Sequence, residues 1–359
     1  MKKTTIIVLC VLVLLALMAG GAAYAFIWTS EHNLSARDGE SHLIYIYPGT
    51  PKDSLLAIVE KDYEVRSPWV LEQVERYLQY RSGAVKKVGA AAEEETFLKT
   101  GCYRLQAQMS DRAMLRMIYG GRQVPVKLTF YGVRTPEQMA RVMSRQLMLD
   151  SADVASRLTD TTYMAQFGLT LPQAMCLFIP NTYEVWWNMS ADDLFQRMSR
   201  EYKSFWNTER LTRCGQMGMT PTEVVTLASI VEEETRKDVD KPIVAGLYIN
   251  RLRRGMLLQA DPTVKFAVGD FGLRRILKEH LRIDSPYNTY RYAGLPPGPI
   301  RTPSPQTVDY TLHYTPSNYL YMCASPALDG THRFSSNYSE HLRNAREYQR
   351  ELNRRGIKR

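Results

Sequence analysis

The sequence predicts an α+β protein with a single N-terminal transmembrane helix, a small α+β module, and a larger, mostly helical α+β domain. Three observations predict this fold class. The N-terminus holds an uncharged apolar stretch, a strand–turn–helix pattern repeats after it, and helical apolar periodicity runs through most of the remainder. The 359 residues are enough for two ordinary domains, and the 45% apolar content excludes a disordered chain.

The predicted transmembrane helix runs from Ile6 to Trp28 without a charged residue, and it spans roughly 30 Å of hydrocarbon. Lys2 and Lys3 favour a cytoplasmic N-terminus. We therefore assign residues 1–28 to a cytoplasmic tip and a retained anchor. The alternative is a cleaved signal peptide, because Ala23-Tyr24-Ala25 fits an A-x-A cleavage site, although the apolar stretch continues past it. Both readings export the rest of the chain.

Charge and cysteine usage limit the possible partners. The net charge of +9 suits nucleic acid, an anionic membrane surface or an anionic polymer, but no basic-aromatic motif supports nucleic-acid binding. No C-x-x-C or H-E-x-x-H spacing occurs, so we expect neither a metal nor a cofactor. The cysteines outside the anchor are far apart and are interpreted as buried free thiols: Cys102, Cys176, Cys214 and Cys323.

Residues 29–41 are polar and are predicted to form a tether, and residues 42–122 a small α+β module. The module's pattern predicts strands at 43–47 and 103–105 and helices beginning near Thr50, covering 70–80, and ending at Gly120. Ser82 to Glu95 is read as a loop. A strand at 124–130 opens the larger domain, residues 123–359, which is predicted to be mostly helical with a Pro- and Tyr-rich stretch at 285–305.

The most informative stretch is LASIVEEET, Leu227 to Thr235, where three glutamates end an apolar helix. Thr220, Pro221 and Glu223 specify the start of that helix as a capping box. A helical wheel places Glu233 roughly 170° from the apolar stripe, facing solvent, and Glu232 and Glu234 on its two edges.

Partial burial disfavours the charged form of a carboxyl, which is what a general acid near neutral pH requires. The ordinary alternative is a set of solvated glutamates paired with Arg236 and Lys237. Two nearby polar groups strengthen the catalytic reading, because amides, hydroxyls and aromatic faces suit carbohydrate. They comprise Gln259, Asp261 and Thr263, and then Tyr287, Asn288, Tyr290 and Tyr292.

Several motifs together resemble the endolytic murein transglycosylase, or YceG-like, family: LASIVEEET, INRLRRGMLLQADPTV, SPYNTY, GLPPGPI and THRFSSN, with LFIPNTYEVWW and TGCYRL upstream. The resemblance implies a LysM-like module, a single-pass protein of the inner (cytoplasmic) membrane with a periplasmic catalytic domain, and peptidoglycan glycan strands as substrate. It also names peptidoglycan synthases as candidate partners. The family's pattern maps its catalytic glutamate onto Glu232, with Glu234, Gln259, Asp261, Tyr287, Asn288 and Tyr290 binding substrate or supporting.

The implied reaction cleaves the MurNAc-β-1,4-GlcNAc bond with one glutamate acting as acid and then base, giving 1,6-anhydro-MurNAc ends. Two other functions stay open. A water-using muramidase would require a second carboxylate about 5–9.5 Å away, for which Asp261 is the candidate. A non-catalytic wall-binding anchor would use the glutamates structurally.

Overall fold

The structure, a computed structural model, describes residues 2–81, 97–273 and 275–357, and within them the protein is α+β. The helices are α1 (Lys2–Glu31), α2 (Leu55–Val59), α3 (Pro68–Arg81), α4 (Asp111–Tyr119), α5 (Pro136–Gln146), α6 (Ser151–Leu158), α7 (Thr161–Ala165), α8 (Ala191–Phe205), α9 (Thr208–Met217), α10 (Pro221–Glu234), α11 (Lys241–Arg253), α12 (Asp261–Val268), α13 (Pro305–Leu312) and α14 (Tyr338–Arg354). The strands are β1 (Leu34–Ala36), β2 (His42–Ile46), β3 (Tyr63–Val65), β4 (Gly101–Leu105), β5 (Gln108–Met109), β6 (Val126–Phe130), β7 (Asn181–Val185), β8 (Tyr321–Ala324) and β9 (His332–Ser335).

Helix α1 confirms the predicted N-terminal helix. Within Ile6–Glu31, the most apolar 18 consecutive residues have a mean hydropathy of 2.9, and none of them is buried within the protein. The helix is therefore long and apolar enough to cross a membrane.

The chain divides into two compact units, and the first contains residues 1–127 and 184–188. Strands β2 and β4 pair antiparallel, and β1 lies between β3 and β5 in a second sheet. This arrangement confirms the predicted alternation of strands and helices in this region. The predicted loop from Ser82 to Glu95 lies outside the described residues. The core of the unit is formed by side chains from both sheets and from α2, α3 and α4, including Ile44, Ile46, Val59, Tyr103, Leu105, Met114, Leu115 and Ile118.

The predicted tether is wrong for its central part, because residues 34–36 form β1. Leu34 is 1% exposed, and Asn33 is fully buried. The Asn33 side chain accepts a hydrogen bond from the backbone N–H of Ser67 at 2.7 Å and donates to Asp111 at 2.8 Å. Polar composition suggested a solvated linker, but paired polar groups can be buried at little cost.

The burial of Asp111 predicts that the stability of the first unit depends on pH. Its carboxyl is fully buried, Oδ2 accepts the hydrogen bond from Asn33, and Oδ1 has no partner among the described residues. Burial raises the pKa of Asp111 to about 7. The folded-state pKa lies above the ordinary value of 3.8, so the buried site favours the neutral carboxyl. The fold is therefore most stable at low pH, where the carboxyl is neutral, and loses stability as the pH rises through about 7.

We expect Asp111→Asn to remove that dependence. The variant should unfold at a higher temperature than the wild type near pH 8, and at about the same temperature near pH 4, where both side chains are neutral. Thermal unfolding of the full-length protein in detergent at the two pH values measures this. An unchanged difference between the two pH values in the variant would contradict the assignment.

The second unit contains residues 128–183 and 189–359, and α10 runs through its core. Helices α9, α11, α12 and α13 pack around α10, whose residues Val224–Val231 are buried. The antiparallel hairpin of β8 and β9 interrupts the predicted helical run and packs on α14. The four cysteines are free thiols in the structure, and the expected burial is found for Cys102, Cys176 and Cys214, whereas Cys323 is only partly buried.

Candidate active site

Helix α10 places three carboxyl groups at one end of a buried element. The predicted capping box is confirmed: Thr220 accepts a hydrogen bond from the backbone N–H of Glu223, and the Glu223 side chain accepts one from the backbone N–H of Thr220. The helix ends at Glu234, after which Thr235 is buried. Capping at the start and burial along its length fix where the last turn, with its glutamates, must lie.

Glu232 is half-buried and contacts the start of α13. Its Oε2 accepts hydrogen bonds from the backbone N–H of Ser304 at 3.1 Å and from Ser304 Oγ at 2.9 Å. Ser304 is also the N-cap of α13 and accepts from the backbone N–H of Thr307. Glu232 therefore joins the end of α10 to the cap of a neighbouring helix.

Glu233 does not face solvent, so the expectation from the helical wheel is wrong. Its side chain is 16% exposed, and Oε1 accepts hydrogen bonds from Arg134 at 2.6 Å and from Arg301. Burial alone would raise the pKa of Glu233, but the two guanidinium groups outweigh it and lower that pKa. The wheel describes only α10's own apolar stripe, whereas both arginines come from other parts of the second unit.

Glu234 has the electrostatics expected of a general acid. Tyr248 of α11, itself 2% exposed, donates its hydroxyl to Glu234 Oε1 at 2.7 Å. Burial raises the pKa of Glu234 to about 7; the hydrogen bond from Tyr248 opposes this rise, and the negative charge of Asp261 adds to it. A substantial fraction of Glu234 is therefore protonated at neutral pH.

A second carboxylate stands close to Glu234. Asp261 is exposed at the first position of α12, and the hydroxyl of Tyr290 donates to its Oδ1 at 2.6 Å. Burial is the main cause that raises the pKa of Tyr290, and the hydrogen bond to Asp261 raises it further. The Tyr290 hydroxyl therefore keeps its proton. The structure thus brings together three of the predicted site residues: Glu234, Asp261 and Tyr290.

Gln259 has a strained backbone beside this group. Its φ is 50°, in the left-handed region that residues other than glycine rarely adopt, and its side chain is exposed. The backbone N–H of Gln259 donates to the carbonyl oxygen of Thr289 at 3.1 Å, which holds the conformation. Backbone strain of this kind is concentrated at functional sites, so the conformation of Gln259 is consistent with a functional role for this end of α10.

Asn288 and Tyr287 support the loop from within. Asn288 is fully buried, and its side-chain amide donates to the carbonyl oxygens of Leu281 and Ile283 while its Oδ1 accepts from the backbone N–H of Tyr290. The ring of Tyr287 packs 4.7 Å from that of Phe266, centre to centre, and burial raises the pKa of Tyr287 to about 12. Asn288 therefore holds the backbone of Tyr290, whereas Tyr287, which is partly buried, packs the loop against α12.

The sequence did not single out four residues that contact the three glutamates: Arg134, Tyr248, Arg301 and Ser304. Tyr248 follows Glu234 by 14 residues, but the other three lie 68 to 99 residues from their partners. Ser304 carried a local signal, since a serine before Pro305 is typical of a helix N-cap.

A cavity of about 530 Å³ lies at the opposite end of α10. Its lining includes Met219 and Thr222 of the capped end and the segment Gly294–Pro297. Thr226 is the lining residue of α10 nearest the carboxyls, and it precedes Glu232 by six residues, or roughly 9 Å along a helix axis. None of the three glutamates lines the cavity.

The donor set does not suggest a metal centre, because the described residues hold no cluster of three or more histidine, cysteine, aspartate or glutamate side chains that would bind an ion. A half-buried carboxyl of raised pKa, with a second carboxylate and a tyrosine beside it, makes this end of α10 a candidate site for acid–base chemistry. The chain belongs to the YceG-like family, whose model matches residues 44–347.

Named relatives agree with this membership. The protein is 25% identical to an endolytic murein transglycosylase of Streptococcus pneumoniae strain D39 over 95% of this chain and 65% of that protein. It is 26% identical to one of Bacillus subtilis over 85% of this chain and 84% of that protein. The chain thus spans about 65% of the length of its pneumococcal relative. A crystal structure of a yceG-like protein from Listeria monocytogenes superposes with a TM-score of 0.57 at 25% identity, covering 85% of this chain and 98% of that one.

Proposed function

We propose that this protein is an endolytic lytic transglycosylase that cleaves the MurNAc-β-1,4-GlcNAc bond within glycan strands of peptidoglycan. Family membership and the names of the relatives support the substrate class. The observation that carries the chemistry is Glu234, a carboxyl with a pKa of about 7 beside Asp261 and Tyr290. Acid–base catalysis is most efficient when the pKa of the group lies near the working pH.

The geometry favours Glu234 over Glu232 as the acid, and both assignments are proposals. The family resemblance selected Glu232, whose Oε2 already accepts hydrogen bonds from two donors of Ser304, an arrangement that suits a structural carboxylate. Tyr248 donates to Oε1 of Glu234, so Oε2 is the atom left to carry a proton. Glu232 as the acid remains the alternative.

The reaction proceeds in two proton transfers. Glu234 gives its proton to the glycosidic oxygen as the bond from that oxygen to C1 of MurNAc breaks, releasing the GlcNAc hydroxyl and leaving an oxocarbenium-like C1. The C6 hydroxyl oxygen of the same MurNAc then bonds to C1, and its proton passes to the Glu234 carboxylate. The acid is regenerated, a 1,6-anhydro end forms, and no water is consumed.

The neighbours of Glu234 have separate roles in this scheme. The Asp261 carboxylate, oriented by Tyr290, stabilises positive charge developing at C1 and disfavours ionisation of Glu234 before the reaction. The exposed amide of Gln259 is available to hydroxyl and acetamido groups of the sugar. Asn288 and Tyr287 hold the loop that carries Tyr290.

Product mass distinguishes this function from its rivals. Purified glycan strands digested by the full-length protein in detergent should give fragments whose MurNAc ends are lighter by one water than hydrolysed ends. Ordinary reducing ends would instead establish the water-using muramidase, with Asp261 as the second carboxylate. Intact strands would leave a wall-binding anchor as the function.

We further propose the cellular setting. Retention of α1 would make the protein a single-pass component of the inner membrane, with its N-terminus in the cytoplasm and the chain that follows α1 in the periplasm, where peptidoglycan synthases are candidate partners. The small α+β unit would serve as a LysM-like module that binds or orients glycan. N-terminal sequencing of protein recovered from membranes tests retention, and a mature chain beginning at Phe26 would contradict it.

A further inference from the structure

The junction between α1 and the rest of the first unit is rigid. Directly after α1, the backbone carbonyl of Asn33 accepts from the N–H of Arg66 at 3.0 Å, and the Asn33 side chain bonds to both backbone groups of Ser67. The contact with Asp111 adds a third attachment, at the start of α4. The body of the unit therefore follows the orientation of α1.

The same junction places α3 beside the apolar segment of α1. Phe26, inside that segment, packs against the core of the first unit, and its ring lies 6.1 Å from that of Trp69 in an edge-to-face arrangement. Trp69 is the second residue of α3 and is 62% exposed. Trp28, 49% exposed, stacks on His32 at 4.9 Å at the same end of α1.

The length of the apolar segment fixes the depth of these rings. A hydrocarbon core of about 30 Å takes roughly 20 helical residues, which from Ile6 reaches the neighbourhood of Ala25. Phe26 then lies at the boundary between hydrocarbon and headgroups, and Trp69 lies beside it. That boundary is where indole rings accumulate, because one edge is apolar and the N–H requires a polar partner.

The geometry points to a second membrane contact: the first turn of α3, with Trp69 at its centre, lies in the headgroup region of the bilayer that α1 crosses. This inference rests on the proposed retention of α1. The lipid surface is favoured over a sugar ring as the partner of Trp69 because the exposed indole is continuous with the apolar surface of α1. Its consequence is that the first unit is held against the membrane in one orientation.

Fluorescence quenching in vesicles tests this contact. The full-length protein is reconstituted into phosphatidylcholine vesicles whose acyl chains carry bromine near the headgroup end, and its tryptophan emission is compared with that in unbrominated vesicles. Trp69→Phe should lower the quenchable emission by roughly one half, since Trp28 and Trp69 are the two interfacial indoles. Trp186→Phe is the matched control, because Trp186 is similarly exposed, at 51%, and should leave the quenchable emission unchanged.

Two outcomes overturn the proposal. If Trp69→Phe is quenched as strongly as the wild type while Trp28→Phe loses all quenching, α1 is anchored but α3 does not touch lipid. If no variant is quenched, α1 is not in the bilayer and the retained anchor fails as well. Glycan cleavage by the same samples is measured separately, so failure of the enzymatic function is distinguishable. Trp69→Tyr replaces the phenylalanine variant should the latter not fold.

Discussion

Glu234→Gln is expected to lower the formation of anhydro-ended product by a factor on the order of 10² or more. Glutamine keeps the shape of the side chain and can still accept the hydrogen bond from Tyr248, but it has no acidic proton to transfer. The measurement is the rate of anhydro-end formation from purified glycan strands at a fixed protein concentration.

Glu232→Gln is the matched control, since it makes the same exchange two residues away on the same helix. We expect a smaller loss from it, because the amide oxygen still accepts from Ser304. The opposite result, a large loss at Glu232 with near-normal turnover by the Glu234 variant, would transfer the acid role to Glu232, as the family pattern indicated.

The pH dependence supplies a second readout. If protonated Glu234 is the acid, activity should fall as pH rises through about 7, the pKa to which burial raises it. Stability should follow the same ionisation: because the folded-state pKa exceeds the ordinary value of 4.5, the fold is less stable above pH 7 than it would be with a neutral side chain. The Glu234→Gln variant should therefore unfold at a higher temperature than the wild type near pH 8.

Local chemistry explains which parts of the fold the sequence predicted. The capping box of α10 and the strand–helix alternation of the first unit depend on residues a few positions apart, and both were confirmed. The wheel also predicted that Glu234 would be half-buried, and Glu234 is partly buried in the structure.

The predictions that failed depended on distant contacts. Glu233 was expected to face solvent, but Arg134 lies 99 residues away and Arg301 68 residues away, and no periodicity within α10 reports them. Asn33 appeared to belong to a polar tether, although its partner Asp111 lies 78 residues away. The assignment of the acid to Glu232 is untested and stays a prediction. The proposal of Glu234 instead rests on Ser304, Tyr248 and Asp261, which only the folded chain brings near the end of α10.

The buried group formed by Glu233, Arg134 and Arg301 leads to the second large effect. Removing Glu233 leaves two guanidinium groups, 25% and 22% exposed, without their shared carboxylate. Breaking such a group by removing one partner is costly, because the remaining charges stay partly desolvated. We expect Glu233→Gln to lower the free energy of unfolding by on the order of 2 to 3 kcal/mol, measured by denaturant unfolding near neutral pH.

The same exchange should also change catalysis, although Glu233 is a positioning residue in this scheme. Its negative charge is one of those that raise the pKa of Glu234, so its removal should move the fall in activity to lower pH. Glu347→Gln is the matched control, because Glu347 pairs with Arg333 in an exposed ion pair in which the two side chains are 41% and 43% exposed. Exposed ion pairs of this kind contribute about 0–1 kcal/mol to the free energy of unfolding, so Glu347→Gln should change stability little. The pair joins β9 to α14 and does not involve α10, so the pH dependence of activity should also stay the same. If Glu233→Gln proved as harmless as Glu347→Gln in both measurements, the arginines would be neighbours of α10 that do not hold the end carrying the proposed acid.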